Sequence, residues 1–279
     1  MKITGRAMVA GVVGRPVGHS LSPSLHGAWI QAAGLDALYA PFEPAAEGFK
    51  TLVEGLHAGG VRGVNVTLPF KEQALALADI VGFEAEAAGA ANVLVFRSDG
   101  RIEAHNTDGV GLLAAFAEQA PGTDLRSGPV VILGAGGAAR GAAAALKTAG
   151  VPELRIVNRT LERAVDLADR FGAHAYAIED AGKAFAEAVA VINSTSAGLS
   201  GDAAPHLPLE AAPDTAAVMD MMYKPLKTPL LAHARSLGMP TVDGLAMLIG
   251  QAKPSFEVFF RVTPPAAVDV RALLEGTLR

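Results

Sequence analysis

The sequence predicts an α/β protein of two domains, each built on a mainly parallel sheet. Three observations support this class. Strand-like runs alternate with helical stretches along the chain, as they do in parallel sheets. The length of 279 residues lies near the size at which one core divides into two. A second and more regular strand–helix series begins after a linker at residues 121–128.

The first series contains short apolar runs separated by helical stretches. Strands are predicted at residues 9–13, 38–42 and 61–66, followed by a hairpin, 93–96 with 101–105, around Ser98-Asp99-Gly100. Helices are predicted at residues 24–33, 47–58 and 72–79. This part would form the first domain, over residues 1–107.

The second series starts with a predicted helix at residues 109–118. Its strands are predicted at residues 130–133, 154–158, 175–178, 189–193 and 218–222, with helices between them. The second domain is therefore expected over residues 108–242. The remaining residues, 243–279, are predicted to form helices at 245–252, 255–259 and 268–278 that return to the first domain.

Composition excludes several classes of function. The net charge of −5 and the absence of a Lys/Arg block argue against nucleic acid as a partner. With no cysteine, thiolate catalysis and Cys-based zinc sites are excluded, and the scattered histidines suggest no metal. The apolar run at 7–13 leads into Gly14-Arg15-Pro16, so we interpret it as a buried strand, not a signal peptide. No membrane-spanning run is present, and we expect a soluble, cytoplasmic protein.

A glycine-rich turn follows the first strand of the second series. The run at 129–133 leads into Gly134-Ala135-Gly136-Gly137-Ala138-Ala139 and then an alanine-rich helix. In this pattern the first glycine permits a tight bend, the second lets backbone approach a pyrophosphate, and Ala139 lets helix and strand pack closely. Phosphates would bind at the helix N-terminus. The pattern predicts a Rossmann-type dinucleotide-binding domain.

The residues after the next strand select the dinucleotide. An NAD site would place an acid about 20 residues beyond the glycine turn, to bind the ribose 2′-hydroxyl. This chain has Asn158-Arg159-Thr160 there, with Arg163 one helical turn later. A guanidinium binds a 2′-phosphate that an acid would repel, so NADP is the predicted cofactor.

Polar clusters occur where several predicted strands end, which is the ligand-binding edge of an open α/β sheet. In order and spacing, these clusters and the glycine turn resemble the shikimate dehydrogenase family over nearly the whole chain. The segments that carry the resemblance are Gly18-His19-Ser20-Leu21-Ser22-Pro23, Asn65-Val66-Thr67-Leu68-Pro69-Phe70-Lys71, Asn106-Thr107-Asp108-Gly109, the turn from Gly134 to Arg140, Asn158-Arg159-Thr160, Asn193-Ser194-Thr195-Ser196-Ala197-Gly198, Asp243-Gly244-Leu245-Ala246-Met247-Leu248 and Gln251.

The resemblance implies an NADPH-linked, reversible reduction of 3-dehydroshikimate to shikimate, a step towards chorismate and the aromatic amino acids. The residues it implies for the ring carboxylate are Ser20, Ser22, Thr67 and Tyr223. Those it implies for the ring hydroxyls and the reacting oxygen are Asn65, Lys71, Asn92, Asp108 and Gln251. Those it implies for the cofactor are Gly134, Ala135, Gly136, Gly137, Ala138, Asn158, Arg159, Thr160, Arg163, Thr195, Ser196, Met221, Gly244 and Met247.

Reduction of a ketone builds negative charge on oxygen, which must be stabilised and protonated. The Lys71 ammonium is suited to both tasks. Asp108 would position it and keep it charged, because a nearby opposite charge favours the ionised form. Which member moves the proton stays open.

Two other functions and the assembly also remain open at this point. One alternative is a quinate/shikimate dehydrogenase of broader specificity. The other is a non-catalytic nucleotide-binding regulator on the same scaffold. A homodimer is one option for the assembly.

Overall fold

The computed structural model describes residues 3–195 and 207–278. Within this part, residue contacts divide the chain into two compact units. The first contains the described residues up to Thr107 together with Leu248–Thr277. The second contains the described residues of Asp108–Met247 together with Leu278.

The first unit is built on a six-stranded sheet. Its strands are β1 (Met8–Val13), β2 (Ala37–Phe42), β3 (Gly63–Val66), β4 (Ile80–Val81), β5 (Val93–Phe96) and β6 (Ile102–His105). Their order is β2-β1-β3-β5-β6-β4. Only β5 pairs in antiparallel fashion with its neighbours β3 and β6, so the sheet is mainly parallel, as predicted. The predicted hairpin is confirmed, with Val93 opposite His105.

Four helices accompany these strands: α1 (Ser22–Ala32), α2 (Phe49–Ala58), α3 (Lys71–Ala76) and α4 (Phe83–Ala88). The core of this unit includes the stacked rings of Phe49 and Phe70, whose centroids lie 4.8 Å apart. The short elements β4 and α4 were not predicted, because two and six residues are too few for a periodic pattern to develop.

The second unit contains a parallel six-stranded sheet in the order β12-β11-β10-β7-β8-β9. Its strands are β7 (Pro129–Leu133), β8 (Glu153–Asn158), β9 (His174–Ala177), β10 (Ala190–Asn193), β11 (Ala217–Asp220) and β12 (Thr241–Asp243). Its helices are α5 (Asp108–Gln119), α6 (Gly137–Thr148), α7 (Leu161–Phe171), α8 (Ala181–Phe185) and α9 (Pro229–Ser236). This is the doubly wound order of the Rossmann fold, so the predicted fold class is confirmed.

Burial on both faces explains why the central strand β7 is continuously apolar. Along β7, Val130 and Ile132 belong to one core cluster, whereas Val131 and Leu133 belong to another. Alternate side chains of a strand point to opposite faces, so a sheet covered on both sides requires an unbroken apolar run.

The last two helices are α10 (Gly244–Phe260) and α11 (Val270–Thr277). The prediction of separate helices at 245–252 and 255–259 is wrong, because α10 continues through Pro254. Burial of Phe256 and Phe259 beyond the proline offsets the hydrogen bond that a helical proline forfeits. The boundary between the units lies inside α10, a few residues after the predicted domain boundary at 242, since Ala246 packs into a core of the second unit.

Candidate active site

One edge of the first sheet collects the predicted substrate residues. Strands β1 and β3 run parallel with Val13 opposite Val66, so the loops that follow them begin at the same edge. Strand β5 runs the other way and begins with Val93 opposite Asn65. Asn92, which precedes it, therefore lies at that edge too.

Asn65 and Asn92 are almost fully buried there, and both carboxamides form several hydrogen bonds. Asn65 Nδ2 donates to Ser255 Oγ at 2.9 Å and to the Asn92 carbonyl oxygen at 3.3 Å. Asn65 Oδ1 accepts from the Tyr39 hydroxyl at 2.7 Å. Asn92 Oδ1 accepts from the Thr107 backbone N–H at 2.8 Å. Buried polar groups that are satisfied in this way hold one orientation.

Helix α10 brings Gln251 to the same cluster. Gln251 Oε1 accepts from Asn92 Nδ2 at 3.4 Å and from Thr107 Oγ1 at 3.3 Å. Because its oxygen is bound in this way, the amide N–H groups of Gln251 are the part of the side chain suited to a ligand oxygen.

The segments that follow β1 and β3 at this edge, up to the first residues of α1 and α3, contain Ser20, Ser22, Thr67 and Lys71. The Ser22 backbone N–H donates to Ser20 Oγ at 3.3 Å, which fixes the turn before α1. The Thr67 backbone N–H donates to the Val13 carbonyl at 2.9 Å. Half-buried Lys71 begins α3, and its carbonyl accepts from the Ala91 N–H at 2.9 Å. These hydrogen bonds hold Ser20, Ser22, Thr67 and Lys71 at the carboxyl edge of the sheet.

A cluster of aromatic rings lies behind Asn65. The imidazole of His26 stacks on the Tyr39 ring with centroids 4.1 Å apart and planes within 2°. Trp29 and Phe256 complete the cluster. Burial lowers the pKa of His26 from 6.5 to about 3 and raises the pKa of Tyr39 well above its usual value. Both groups are therefore neutral near pH 7.

The glycine turn of the second unit connects β7 to α6. Gly134 has φ +107°, and a Cβ there would lie 2.8 Å from Ser194 Oγ and 2.9 Å from Thr195 Cγ2. Glycine is thus required at this position. At Gly136 a Cβ would meet nothing within 4 Å, so open space lies where α6 begins. No side chain caps this helix at Gly136, which leaves its first N–H groups for an anion.

The loop after β8 carries the predicted 2′-phosphate residues. Asn158 Nδ2 donates to the Thr160 carbonyl at 2.9 Å, which shapes the loop between β8 and α7. Arg159 and Arg163 are exposed, and neither forms an ion pair with any residue that the structure describes. A phosphorylated dinucleotide fits this part of the chain, with backbone N–H groups at the turn and guanidinium groups at the loop.

The ends of β10 and β11 are joined by a polar cluster next to the glycine turn. Asn193 Nδ2 donates to Asp220 Oδ1 at 3.1 Å, and Asn193 Oδ1 accepts from Thr195 Oγ1 at 2.7 Å. Burial raises the pKa of Asp220. Met221 follows β11, and a Cβ at Gly244 would overlap the Met221 carbonyl. Strands β7 and β10 are neighbours at the point where the strand order reverses, which is the ligand-binding position of such sheets.

The remaining predicted residues are distributed over the same unit. Asp108 begins α5, which packs closely on α6, since a Cβ at Gly109 would lie 2.5 Å from Ala145 Cβ. Tyr223 is half-buried, and burial raises its pKa. Met247 packs against a core of this unit. Ala135 lies in the glycine turn and Ala138 in the first turn of α6, whereas Ser196 lies outside the described residues.

Two polar residues of the first unit, Tyr39 and Ser255, were not predicted to take part in the site, and Thr107 was given no role of its own there. Thr107 stands within the motif Asn106-Thr107-Asp108-Gly109, and Ser255 follows Gln251 by one helical turn. These two positions, within a motif and one helical turn from a predicted site residue, could have indicated that Thr107 and Ser255 belong to the site. Tyr39 gave none, because it lies in an apolar strand far from any motif.

The part of the chain that the structure describes contains neither a candidate membrane span nor a candidate metal site. No described helix is long and apolar enough to cross a membrane. Among residues 3–195 and 207–278, no group of three or more His, Cys, Asp or Glu side chains could hold a metal ion.

Comparison with known proteins gives concordant matches. Residues 12–94 match the family model of the shikimate dehydrogenase substrate binding domain, and residues 115–200 match that of shikimate/quinate 5-dehydrogenase. A protein of Caulobacter vibrioides named shikimate dehydrogenase (NADP(+)) is 58% identical over 97% of this chain and 96% of its own length.

Solved structures agree. The crystal structure of shikimate 5-dehydrogenase from Thermus thermophilus, in complex with NADP(H) and shikimate, superposes with a TM-score of 0.83. It is 38% identical and covers 92% of this chain and 95% of that one. Quinate dehydrogenase from Corynebacterium glutamicum, in complex with NAD, gives a TM-score of 0.86 at 31% identity, over 98% of this chain and 99% of that one.

Proposed function

Because the chain belongs to the shikimate dehydrogenase family, we propose that it catalyses the NADP-dependent, reversible reduction of 3-dehydroshikimate to shikimate. This is an oxidoreductase activity on a CH–OH group, in the biosynthesis of chorismate and the aromatic amino acids. The first unit is the substrate-binding and catalytic domain, and the second is the NADP-binding domain.

The carboxamide cluster of Asn65, Asn92 and Gln251 carries this proposal. Fixed amide groups at the carboxyl edge of a sheet suit the hydroxyl groups of a small ring, because each hydroxyl both donates and accepts. Ser20, Ser22, Thr67 and Tyr223 are assigned to the ring carboxylate. Asn65, Lys71, Asn92, Asp108 and Gln251 are assigned to the hydroxyls and the reacting oxygen.

The second unit favours NADP over NAD. NADPH, when bound, supplies the hydride. Gly134, Ala135, Gly136, Gly137 and Ala138 are assigned to the pyrophosphate through their backbone. The residues assigned to the adenosine 2′-phosphate are Asn158, Arg159, Thr160 and Arg163. The residues assigned to the remainder of the cofactor are Thr195, Ser196, Met221, Gly244 and Met247.

Lys71 performs the proton chemistry in this proposal. Its ammonium stabilises the negative charge that develops on the substrate oxygen and then protonates that oxygen. In the oxidative direction the neutral amine accepts the proton of the substrate hydroxyl. Asp108 favours the charged lysine and orients it.

We also propose a cytoplasmic location. The run that resembles a targeting segment is strand β1 inside the first sheet, and it pairs with β2 and β3. A homodimer is the assembly to test, by light scattering after size-exclusion chromatography at several protein concentrations.

A steady-state assay of NADPH absorbance tests the activity directly. Shikimate and quinate are each paired with NADP and with NAD. We expect the highest kcat/KM for shikimate with NADP. Higher kcat/KM for quinate with NAD would instead indicate the broader quinate/shikimate class. Cofactor binding without turnover of either substrate would indicate a regulator.

A further inference from the structure

We propose that Tyr39 is a positioning residue that fixes the Asn65 carboxamide as a hydrogen-bond acceptor towards the substrate. Asn65 then binds a ring hydroxyl and does not bind a carbonyl or carboxylate oxygen. The identity of the substrate rests on the proposed function, whereas the orientation of Asn65 follows from hydrogen bonds within the protein.

The partners of Asn65 Nδ2 determine which end of the amide faces inwards. The Asn92 carbonyl, 3.3 Å away, can only accept, and it already accepts from the Val66 N–H at 2.8 Å. Ser255 Oγ, 2.9 Å away, donates its own hydrogen to the Gln251 carbonyl at 3.2 Å, so it accepts from Asn65. Both hydrogens of Nδ2 are therefore used within the protein.

The other end of the amide faces Tyr39. Since Nδ2 is committed to Ser255 and Asn92, Oδ1 lies 2.7 Å from the Tyr39 hydroxyl and must accept from it. A carboxamide oxygen has two lone pairs, so one remains for a ligand. Asn65 thus offers an acceptor and no donor.

The Tyr39 ring is held against rotation by its packing. His26 stacks on it at 4.1 Å, and His26 is itself in edge contact with Trp29 at 5.8 Å. Because the hydroxyl is buried and its pKa is raised, it stays protonated and remains a donor across the working pH range. The packed rings of His26, Trp29 and Tyr39 thereby determine that Asn65 in β3 acts as a hydrogen-bond acceptor.

This arrangement divides the roles of the carboxamides. The oxidised and reduced ring differ at the reacting position, where a carbonyl replaces a hydroxyl. An acceptor-only Asn65 cannot bind that carbonyl, so it binds a hydroxyl that keeps its hydrogen in both forms. Gln251, whose oxygen is bound within the protein, is the complementary donor.

Amide hydrogen exchange tests the orientation without substrate. In labelled wild-type protein, both Asn65 side-chain amide hydrogens should exchange slowly, and in Tyr39→Phe their exchange should be at least about tenfold faster. The matched control is Tyr176→Phe, a half-buried tyrosine of the second unit. Rapid exchange in the wild-type protein, or equal rates in wild type and Tyr39→Phe, would overturn the proposal.

Kinetics test the consequence for recognition. Tyr39→Phe should raise the KM for shikimate by about tenfold, with the KM for NADP and the KM values of Tyr176→Phe unchanged. The difference in KM between wild type and Tyr39→Phe should disappear for one shikimate analogue. In that analogue, hydrogen replaces the non-reacting hydroxyl that Asn65 binds. An equal increase with every such analogue would overturn the assignment. Inactivity of the wild-type protein would contradict the proposed function but leave the exchange result to decide the role of Tyr39.

Discussion

The two candidate sites are built from different chemical groups. In the first unit the site consists of buried side-chain amides. Asn65 is hydrogen-bonded to Ser255 and Tyr39, and Asn92 is hydrogen-bonded to Thr107. In the second, an anion would be bound by backbone N–H groups at the glycine turn and by exposed Arg159. Ring hydroxyl groups have to be bound by fixed donors and acceptors, whereas phosphate responds to charge and to helix N-termini.

The difference implies distinct sensitivities to mutation. Side-chain truncation should damage the first site most, because each truncation leaves a buried partner unsatisfied. In the second site, added side chains at glycine should be the most damaging changes, since there the backbone itself must approach the ligand.

The largest expected effect is that of Lys71→Ala. Loss of the proton donor should lower kcat by about a thousandfold, and the Kd for NADP should remain within about twofold of wild type. Stopped-flow or steady-state turnover and fluorescence titration provide the two measurements. Lys50→Ala, an exposed lysine of α2 paired with Glu54, is the control. Undiminished turnover would exclude Lys71 as the proton donor.

Gly134→Ala should have the next largest effect. The new Cβ would stand 2.8 Å from Ser194 Oγ at a φ of +107°, so the turn must move. We expect a loss of about 2 kcal/mol in the free energy of unfolding and roughly a hundredfold weaker NADP binding. Denaturant titration and calorimetry measure these quantities.

The matched control for that change is Gly136→Ala. Its φ is −91° and its Cβ would enter open space, so the fold should lose less than about 0.5 kcal/mol. NADP binding should still weaken, because the methyl group enters the space that the phosphates need. Equal stability losses in both variants would contradict this account of the turn.

Arg159→Ala tests the contribution of charge in the second site. Without its guanidinium, NADP binding should weaken by about 2 kcal/mol, roughly thirtyfold, whereas NAD binding should be unchanged. Isothermal titration with both cofactors measures the difference. Arg126→Ala, which removes another exposed arginine of the unit, is the control. A parallel loss of NAD affinity would argue against recognition of the 2′-phosphate.

The smallest expected effect concerns pH and the first unit. Burial lowers the pKa of His26 from 6.5 to about 3, so below pH 6.5 the unfolded chain binds a proton that the folded chain does not. The contribution of His26 is complete above that pH and is lost as pH falls towards 3. At about pH 5.5 the loss should be roughly 1.4 kcal/mol.

Urea unfolding between about pH 7.5 and 5.5 checks this expectation. His26→Phe should show a shallower decline than wild type, and His174→Phe, at an exposed histidine of β9, should decline like wild type. Identical slopes for wild type and His26→Phe would show that His26 does not control acid stability.

Local patterns in the sequence predicted the second sheet well. The strand leading into Gly134 and the loop after β8 are contiguous signals, and burial of β7 on both faces requires an unbroken apolar run. The motif residues from Asn65 to Lys71 were equally visible, because their order along the chain carries the information.

Contacts between distant segments could not be predicted in this way. The bond from Asn65 to Ser255 spans 190 positions, and that from Tyr39 to Asn65 joins two strands that are separated by β1 in the sheet. No local pattern encodes such pairings. The predicted helix break near Pro254 was wrong for a related reason, since a proline within a helix is tolerated where tertiary packing is strong enough.

The first unit is discontinuous along the chain, and this has a consequence during synthesis on the ribosome. Gln251 and Ser255 emerge about 10 to 40 s after Asn65, at translation rates of roughly 5 to 20 residues per second over the 190 intervening positions. All of the Rossmann unit except Leu278 has been synthesised by Met247. The carboxamides of Asn65 and Asn92 are therefore synthesised before the second unit, yet they gain their last hydrogen-bond partners only from residues that follow it.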